Sequence, residues 1–131
     1  MLQKVENYRK AVERLREALS DFAQNPESTV IRDGVIQRFE FTFELAWKSL
    51  REYLEDQGAD MNGIVFSKQV FKAAYAAQII SDQQVWLDML ASRNITTSHV
   101  YDDAQAAQVV ADISNRYIGP LTALSELYLQ A

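Results

Sequence analysis

Residues that end helices are scarce in this chain, which contains four glycines and two prolines among 131 residues. Because sheets of short strands need many turns, this scarcity favours long helices. Apolar residues also recur at alternating steps of three and four, as in the series from Val5 to Phe22 and from Ile36 to Tyr53. That spacing places each series along one face of a helix. The two features together predict an all-α protein.

Three long helices are expected from these apolar series. The first ends before Pro26, and the second, which should lie centrally in the fold, extends from about Thr29 to Gln57. The third begins at Asp102 and reaches about Gln130. We expect Gly119–Pro120 to kink this third helix, because proline cannot donate a hydrogen bond to the preceding turn.

Two shorter helices are expected between the second and third long ones. Residues 58–63 should form a loop, and a helix should follow from Ser67. Ser81 and Gln84 resemble a capping box, in which both side chains bind free amides at a helix start. The next helix is therefore predicted to start after Ser81 and to run toward Arg93. Short connections then predict an antiparallel up-and-down bundle of three long and two shorter helices.

Length and composition are those of an ordinary soluble protein. A chain of 131 residues predicts one domain covering residues 1–131. Hydrophobic residues make up 48% of the sequence and charged residues 24%. No apolar stretch approaches the roughly 20 residues that span a bilayer, and the N-terminus lacks the pattern of a signal peptide. We therefore expect a cytoplasmic protein with no membrane association.

Residue counts also limit the chemistry that this chain can perform. It has no cysteine and one histidine. Disulfides and thiolate metal sites are therefore excluded, and we expect neither a metal ion nor a cofactor. The net charge of −5 argues against broad binding to duplex nucleic acid, which usually depends on a basic face. A small positive pocket that contacts a few phosphates remains compatible with this charge.

The second predicted helix carries two features that bear on assembly. Glu40 and Glu44 lie one turn apart and are expected to form a solvated or interface-lining flank, with Glu44 and Lys48 as an i,i+4 ion pair. Aromatic side chains exceed what one small core can hold, and the surplus predicts a subunit interface. The aromatic residues concerned are Phe39, Phe41, Phe43, Trp47, Tyr53, Tyr75 and Trp86.

The segment 93–101, RNITTSHVY, is the candidate functional site, because it contains the single histidine, His99. Arg93 can bind a phosphate through two parallel hydrogen bonds, and histidine transfers protons readily near neutral pH. Together these side chains indicate chemistry on a phosphodiester. An acid and a base that were both imidazoles would require a second histidine, so another group or a second copy of the chain must fill one role.

Helix geometry leaves several arrangements of this segment open. Residues six apart differ by about 120° around an ideal helix, so Arg93 and His99 would not converge on an unbroken one. The β-branched Ile95–Thr97 stretch could end the helix, with Ser98 capping a new one. Asp102 with Gln105 is the alternative cap. Without a break, Arg93 could meet His99 of a neighbouring subunit. A lone histidine at a helix boundary can also be a plain surface residue.

The same segment resembles the signature of the HEPN proteins, an arginine followed after four to six residues by histidine. Within that group the chain is similar to the toxin subunits called HepT, long labelled nucleotidyltransferase substrate-binding proteins. Their tighter pattern has four residues between arginine and histidine and then a tyrosine, whereas five separate Arg93 from His99 here. Residues 32–48, RDGVIQRFEFTFELAWK, resemble the central helix of that family.

This resemblance implies a HEPN-like helical bundle that forms a homodimer, with the two arginine–histidine pairs facing each other in one cleft. It implies metal-independent RNA cleavage by Arg93 and His99, with Asn94 assisting. It also implies a cognate nucleotidyltransferase antitoxin that modifies the hydroxyl of Tyr101 with AMP. The hypothesis is therefore a ribonuclease toxin of a toxin–antitoxin pair. The alternatives are a non-catalytic substrate-binding or regulatory subunit of a nucleotidyltransferase, and a purely structural helical dimer.

Overall fold

A computed structural model of the chain describes residues 2–98 and 101–130. Within these ranges the protein is all-helical and contains no strand. The elements, in chain order, are α1 (Gln3–Gln24), α2 (Thr29–Asp56), α3 (Ser67–Ala76), α4 (Gln83–Thr97), α5 (Asp103–Asp112), a π-helical turn (Ile113–Tyr117) and α6 (Ile118–Gln130). Because α5, the π turn and α6 follow one another without a break, the predicted three long and two shorter helices are confirmed.

The central position predicted for the second helix is also confirmed. Helix α2 packs along α1 and contacts α3, α4 and α5. Its aromatic residues form the middle of a chain of ring contacts through the core: Phe39 stacks on Tyr117 at 5.6 Å between ring centroids, and Phe43 lies 5.6 Å from Phe71. Phe71 in turn lies 5.3 Å from Trp86 of α4. This continuous aromatic packing joins α2, α3, α4 and the π turn.

Two predicted details differ in the structure. Asp82, and not Ser81, caps α4, since its carboxylate accepts the amide of Val85 at 3.3 Å. The side chain of Gln84 donates to Asp88 instead of closing a capping box. Aspartate at the extended residue directly before the helix can reach the free amides, and this places the true start one residue later.

The irregularity predicted at Gly119–Pro120 lies one turn earlier, in the π turn that ends at Tyr117. There the amide of Ile118 donates to the carbonyl of Ile113, an i to i+5 bond. Proline lacks the amide that would bind residue 116, four positions back. The hydrogen bond that Pro120 cannot make therefore falls within the π turn, where the i to i+4 bonding of the α-helix is already interrupted.

The surplus of aromatic side chains is smaller than predicted. Phe39, Phe43 and Trp86 are buried, whereas Phe41, at 63% exposure, and Tyr75, at 49%, are the exposed members of the group. In the described ranges, we find no helix with both the length and the apolar character needed to cross a membrane.

Candidate functional site

Arg93 lies near the end of α4 and points its guanidinium toward α2. The guanidinium carbon lies 5.4 Å from the centroid of the Phe43 ring, and Nη1 lies 3.6 Å from Oε2 of Glu44. The side chain keeps 26% of its exposure, and its buried Nε has no hydrogen-bond acceptor among the residues that the structure describes. A 3.6 Å contact with one carboxylate oxygen is looser than a two-bond arginine–carboxylate pair. Arg93 is therefore held in place by one loose ion pair and a ring contact, and its side chain remains partly exposed.

Asn94 follows Arg93 and is exposed on α4. Its role as a supporting residue stays a prediction. His99 lies outside the described residues, and so its predicted pairing with Arg93 remains an expectation.

The helix break at Ile95–Thr97, one of the arrangements that the sequence left open, is absent from the structure. The helix continues to Thr97, and Ser98 is its C-terminal cap and not the start of a new helix. The hydroxyls of both threonines are satisfied by the helix backbone, since Thr96 and Thr97 donate to the carbonyl of Arg93 at 3.2 and 2.8 Å. The buried Thr96 also donates to Oε2 of Glu40 on α2 at 3.1 Å.

Helix α5 begins with the alternative cap that the sequence offered. The carboxylate of Asp102 accepts the amide of Gln105 at 2.8 Å, and the Gln105 side chain accepts the amide of Asp102 at 3.0 Å. This reciprocal capping box fixes the backbone directly after Tyr101. Tyr101, the predicted modification site, thus directly precedes the capped N-terminus of α5.

Tyr101 is half-buried against the core. Burial raises the pKa of its hydroxyl, and the negative charges of Asp33 and Glu40 raise it further, while Arg32 acts in the opposite direction. The phenol is therefore neutral at physiological pH and can donate a hydrogen bond. Its position is also linked to α2 through Arg32, which bonds Asp103 at 3.1 Å as well as its own neighbour Asp33 at 3.1 Å.

The structure thus brings Arg93 and Tyr101 to the same side of α2, at different points along it. Glu44 contacts Arg93, Glu40 contacts the next turn of α4, and Asp33 lies close enough to influence Tyr101. The predicted Glu44–Lys48 pair is present at 3.6 Å. Sequence reasoning treated the two glutamates as a solvated or interface-lining flank and missed that both bind α4. The spacing of Glu40 and Glu44, one helical turn apart, was the sequence feature that could have indicated a shared contact.

The sequence did not identify Arg32 or Thr96 as site residues. Arg32 could have been noticed because it begins the segment that resembles the central helix of the family, whereas nothing in the sequence pointed to Thr96.

Across residues 2–98 and 101–130, no group of three or more histidine, cysteine, aspartate or glutamate side chains is arranged to hold a metal ion.

The helical bundle is of the HEPN-like class that the sequence resemblance implied. The chain belongs to the nucleotidyltransferase substrate binding protein like family, whose profile matches residues 3–129. It is similar to a Haemophilus influenzae strain Rd protein named Probable ribonuclease HepT, with 32% identity over 96 residues. That alignment covers 72% of this chain and spans 65% of the length of the relative.

Two solved structures share the fold. One, from Haemophilus influenzae, is described as a substrate binding domain of a nucleotidyltransferase; it has a TM-score of 0.83 and 25% identity, covering 96% of this chain and 99% of that one. The other is a Thermus thermophilus protein with a TM-score of 0.65 and 27% identity, covering 84% of this chain and 94% of that one. Both likenesses agree with the predicted helical bundle.

Proposed function

We propose that this chain, as a single HEPN-like domain, is a metal-independent ribonuclease toxin. In this proposal Arg93 and His99 are the catalytic residues, Asn94 supports them, and a homodimer brings two copies of each pair into one cleft. A nucleotidyltransferase antitoxin neutralises the enzyme by adding AMP to Tyr101. The name of the Haemophilus influenzae relative supports the ribonuclease activity. The family description supports the nucleotidyltransferase partner.

The observation that carries the proposal is the state of Arg93. Its guanidinium is oriented by the Phe43 ring and by one loose contact to Glu44, and it is still partly exposed. A structural arginine would be expected to satisfy its donors within the protein, whereas an arginine that binds phosphate must keep some of them free. Arg93 therefore combines a fixed position with a single loose ion pair and a partly exposed side chain, which support phosphate binding.

The cleavage step requires no metal ion. The 2′-hydroxyl of RNA attacks the adjacent phosphorus, forming a cyclic phosphate, and the bond to the 5′-oxygen breaks. One His99 imidazole accepts the proton of the hydroxyl, and the imidazolium of the second copy donates a proton to the leaving oxygen. Arg93 stabilises the negative charge that gathers on the phosphoryl oxygens. Because each chain has one histidine, the dimer supplies both proton-transfer roles.

The proposed inhibition acts on the same side of α2. The Tyr101 oxygen attacks the α-phosphorus of a nucleoside triphosphate, its proton passes to a base, and pyrophosphate leaves. The product is a phosphodiester with one negative charge, near Asp33 and Glu40. An additional charge and a bulky nucleoside at this point would repel RNA phosphates and obstruct the approach to Arg93.

The test compares RNA degradation by the wild type, His99→Ala and Arg93→Ala dimers. We expect His99→Ala to lose at least about 100-fold in rate, since general acid–base catalysis contributes roughly 10² to 10⁴. Arg93→Ala should lose about 100-fold or more, because it removes the stabilisation of charge on the phosphoryl oxygens. Arg116→Ala is the matched control, because it removes another arginine that is paired with a single carboxylate. Equal cleavage by the wild type and both site variants would exclude these residues from the mechanism.

A second candidate function is a non-catalytic subunit that binds a substrate for a nucleotidyltransferase, or that presents Tyr101 to one. The family description and the solved Haemophilus influenzae domain favour it. It predicts stable binding to the nucleotidyltransferase and no growth arrest when the chain is expressed alone. Toxicity on expression without the partner, abolished by His99→Ala, would distinguish the ribonuclease from this alternative.

A further inference from the structure

A groove of about 470 Å³ lies between α1 and α2. Its lining combines cations with one exposed aromatic ring: Lys10 and Arg14 from α1, and Arg38 and Phe41 from α2. The Phe41 side chain is 63% exposed although large aromatic residues are usually buried in a protein of this size. An aromatic ring in a basic groove is a combination that needs a functional explanation.

The charge of this groove is opposite to that of the whole protein. None of its lining residues is acidic, whereas the chain as a whole has a net charge of −5. Within the described part of the chain, Lys10, Arg14 and Arg38 have no carboxylate within the 4.0 Å of an ion pair. Arg38 is also held across the groove, since its Nη1 donates to the Arg14 carbonyl at 2.7 Å. Three cations are thus concentrated there without neutralising partners.

Helix α2 connects this groove to the candidate site. Phe41 directly follows Glu40, whose carboxylate accepts the Thr96 hydroxyl of α4. Successive helical residues differ by about 100° around the axis, so the groove occupies the neighbouring face of the same helix. An extended ligand that leaves the junction of α4 and α5 can reach Phe41 by passing around α2.

We propose that this groove binds single-stranded RNA outside the cleavage site, with a base stacked on Phe41 and phosphates on Lys10, Arg14 and Arg38; the identity of the strand as RNA rests on the proposed ribonuclease function. Proteins that bind single strands combine a cationic groove with aromatic stacking platforms. A duplex keeps its bases stacked inside and would gain little from an exposed ring. An apolar protein segment would gain little from three unneutralised cations.

The test measures binding of a fluorescent oligouridylate by anisotropy, with His99→Ala in every protein so that cleavage does not interfere. Phe41→Ala should weaken binding on the order of tenfold, from the loss of one stacking contact. The matched control is Phe66→Ala, which removes a ring of similar exposure, 70%, far from the groove in sequence. Equal affinities of Phe41→Ala and the control would overturn the proposal.

The phosphate contacts are tested by salt dependence. The double variant Lys10→Gln/Arg14→Gln should reduce the slope of log affinity against log salt by about 1.4, since each phosphate contact with a single strand contributes about 0.7. Arg16→Gln, an exposed arginine of the same helix, is the control and should leave the slope close to that of the parent. A slope unchanged by the double variant would refute the phosphate contacts.

Two further outcomes separate this proposal from others. If the groove variants change the sedimentation coefficient and leave RNA affinity unchanged, the groove is an interface between copies of the chain, and the proposal fails. If the wild type cleaves RNA with a KM that the groove variants do not alter, the groove proposal fails while the ribonuclease proposal stands. Groove-dependent RNA binding by a wild type that cleaves no RNA would support the groove proposal and contradict the ribonuclease proposal.

Discussion

Replacing Thr96 with valine tests how the end of α4 is fastened to α2. The Thr96 hydroxyl is buried and donates to Glu40 at 3.1 Å, sharing its hydrogen with the Arg93 carbonyl at 3.2 Å. A hydrogen bond to a charged acceptor contributes about 1.5–3 kcal/mol, and leaving that acceptor unsatisfied adds to the loss. The new methyl group returns about 0.8 kcal/mol through burial. We expect Thr96→Val to lower the free energy of unfolding by about 1–2 kcal/mol.

Urea unfolding followed by circular dichroism measures this change. With a slope near 2 kcal/mol per molar, the midpoint should fall by about 0.5–1 M. Thr97→Val is the matched control, because its exposed hydroxyl donates to the same Arg93 carbonyl at 2.8 Å and makes no contact with α2 that the structure records. This control should change stability by less than about 0.5 kcal/mol. Equal losses in the two variants would refute a special role for the contact with Glu40.

Three other predictions concern charges and buried hydroxyls. Glu44→Gln should increase RNA affinity by up to about fivefold, the equivalent of ~1 kcal/mol, because Arg93 loses its competing anion; anisotropy with an inactive protein measures this, and weaker binding would contradict it. Tyr8→Phe should cost about 1–2 kcal/mol in urea unfolding, because it removes a buried 2.6 Å bond to an α6 carbonyl; unchanged stability would exclude that contribution. Hydrogen bonds and the nearby Arg116 guanidinium lower the pKa of Asp88, so this stabilisation is present above about pH 4 and is lost as pH falls further. Arg116→Gln should therefore lose less stability between neutral and acidic pH than the wild type does, and identical pH profiles would argue against the pair.

The helical architecture could be predicted from the sequence because its determinants are local. Apolar periodicity identified the central helix α2, whose bounds are Thr29–Asp56, and the pair Asp102 and Gln105 correctly marked the start of α5. The start of α4 was displaced by one residue because Ser81 and Asp82 are both good capping residues, and only the backbone conformation decides between them. Local signals therefore identified the helices and left single-residue choices open.

The environment of the candidate site could not be predicted in the same way, because it depends on contacts between residues distant in sequence. The motif predicted Arg93, but not that Glu44 and the Phe43 ring hold it. Low helix propensity made a break at Ile95–Thr97 one of the possible arrangements, whereas Thr96 gains a tertiary bond to α2 that offsets this preference. Tertiary contacts of this kind override a difference of a few tenths of a kcal/mol in propensity.

These contacts explain why α2 determines what the proposed site can do. The helix presents carboxylates to both ends of the junction between α4 and α5, so Arg93 faces Glu44 while Tyr101 lies in the field of Asp33 and Glu40. With its charge partly balanced, a single Arg93 should attract an anionic strand only weakly, and the proposed RNA binding should depend on the second Arg93 of the proposed dimer or on cations elsewhere. A negative group added at Tyr101 would then need to offset only a small attraction between Arg93 and the RNA phosphates. The proposed RNA cleavage and its proposed inhibition therefore both depend on the balance of charge between Arg93 and the carboxylates of α2.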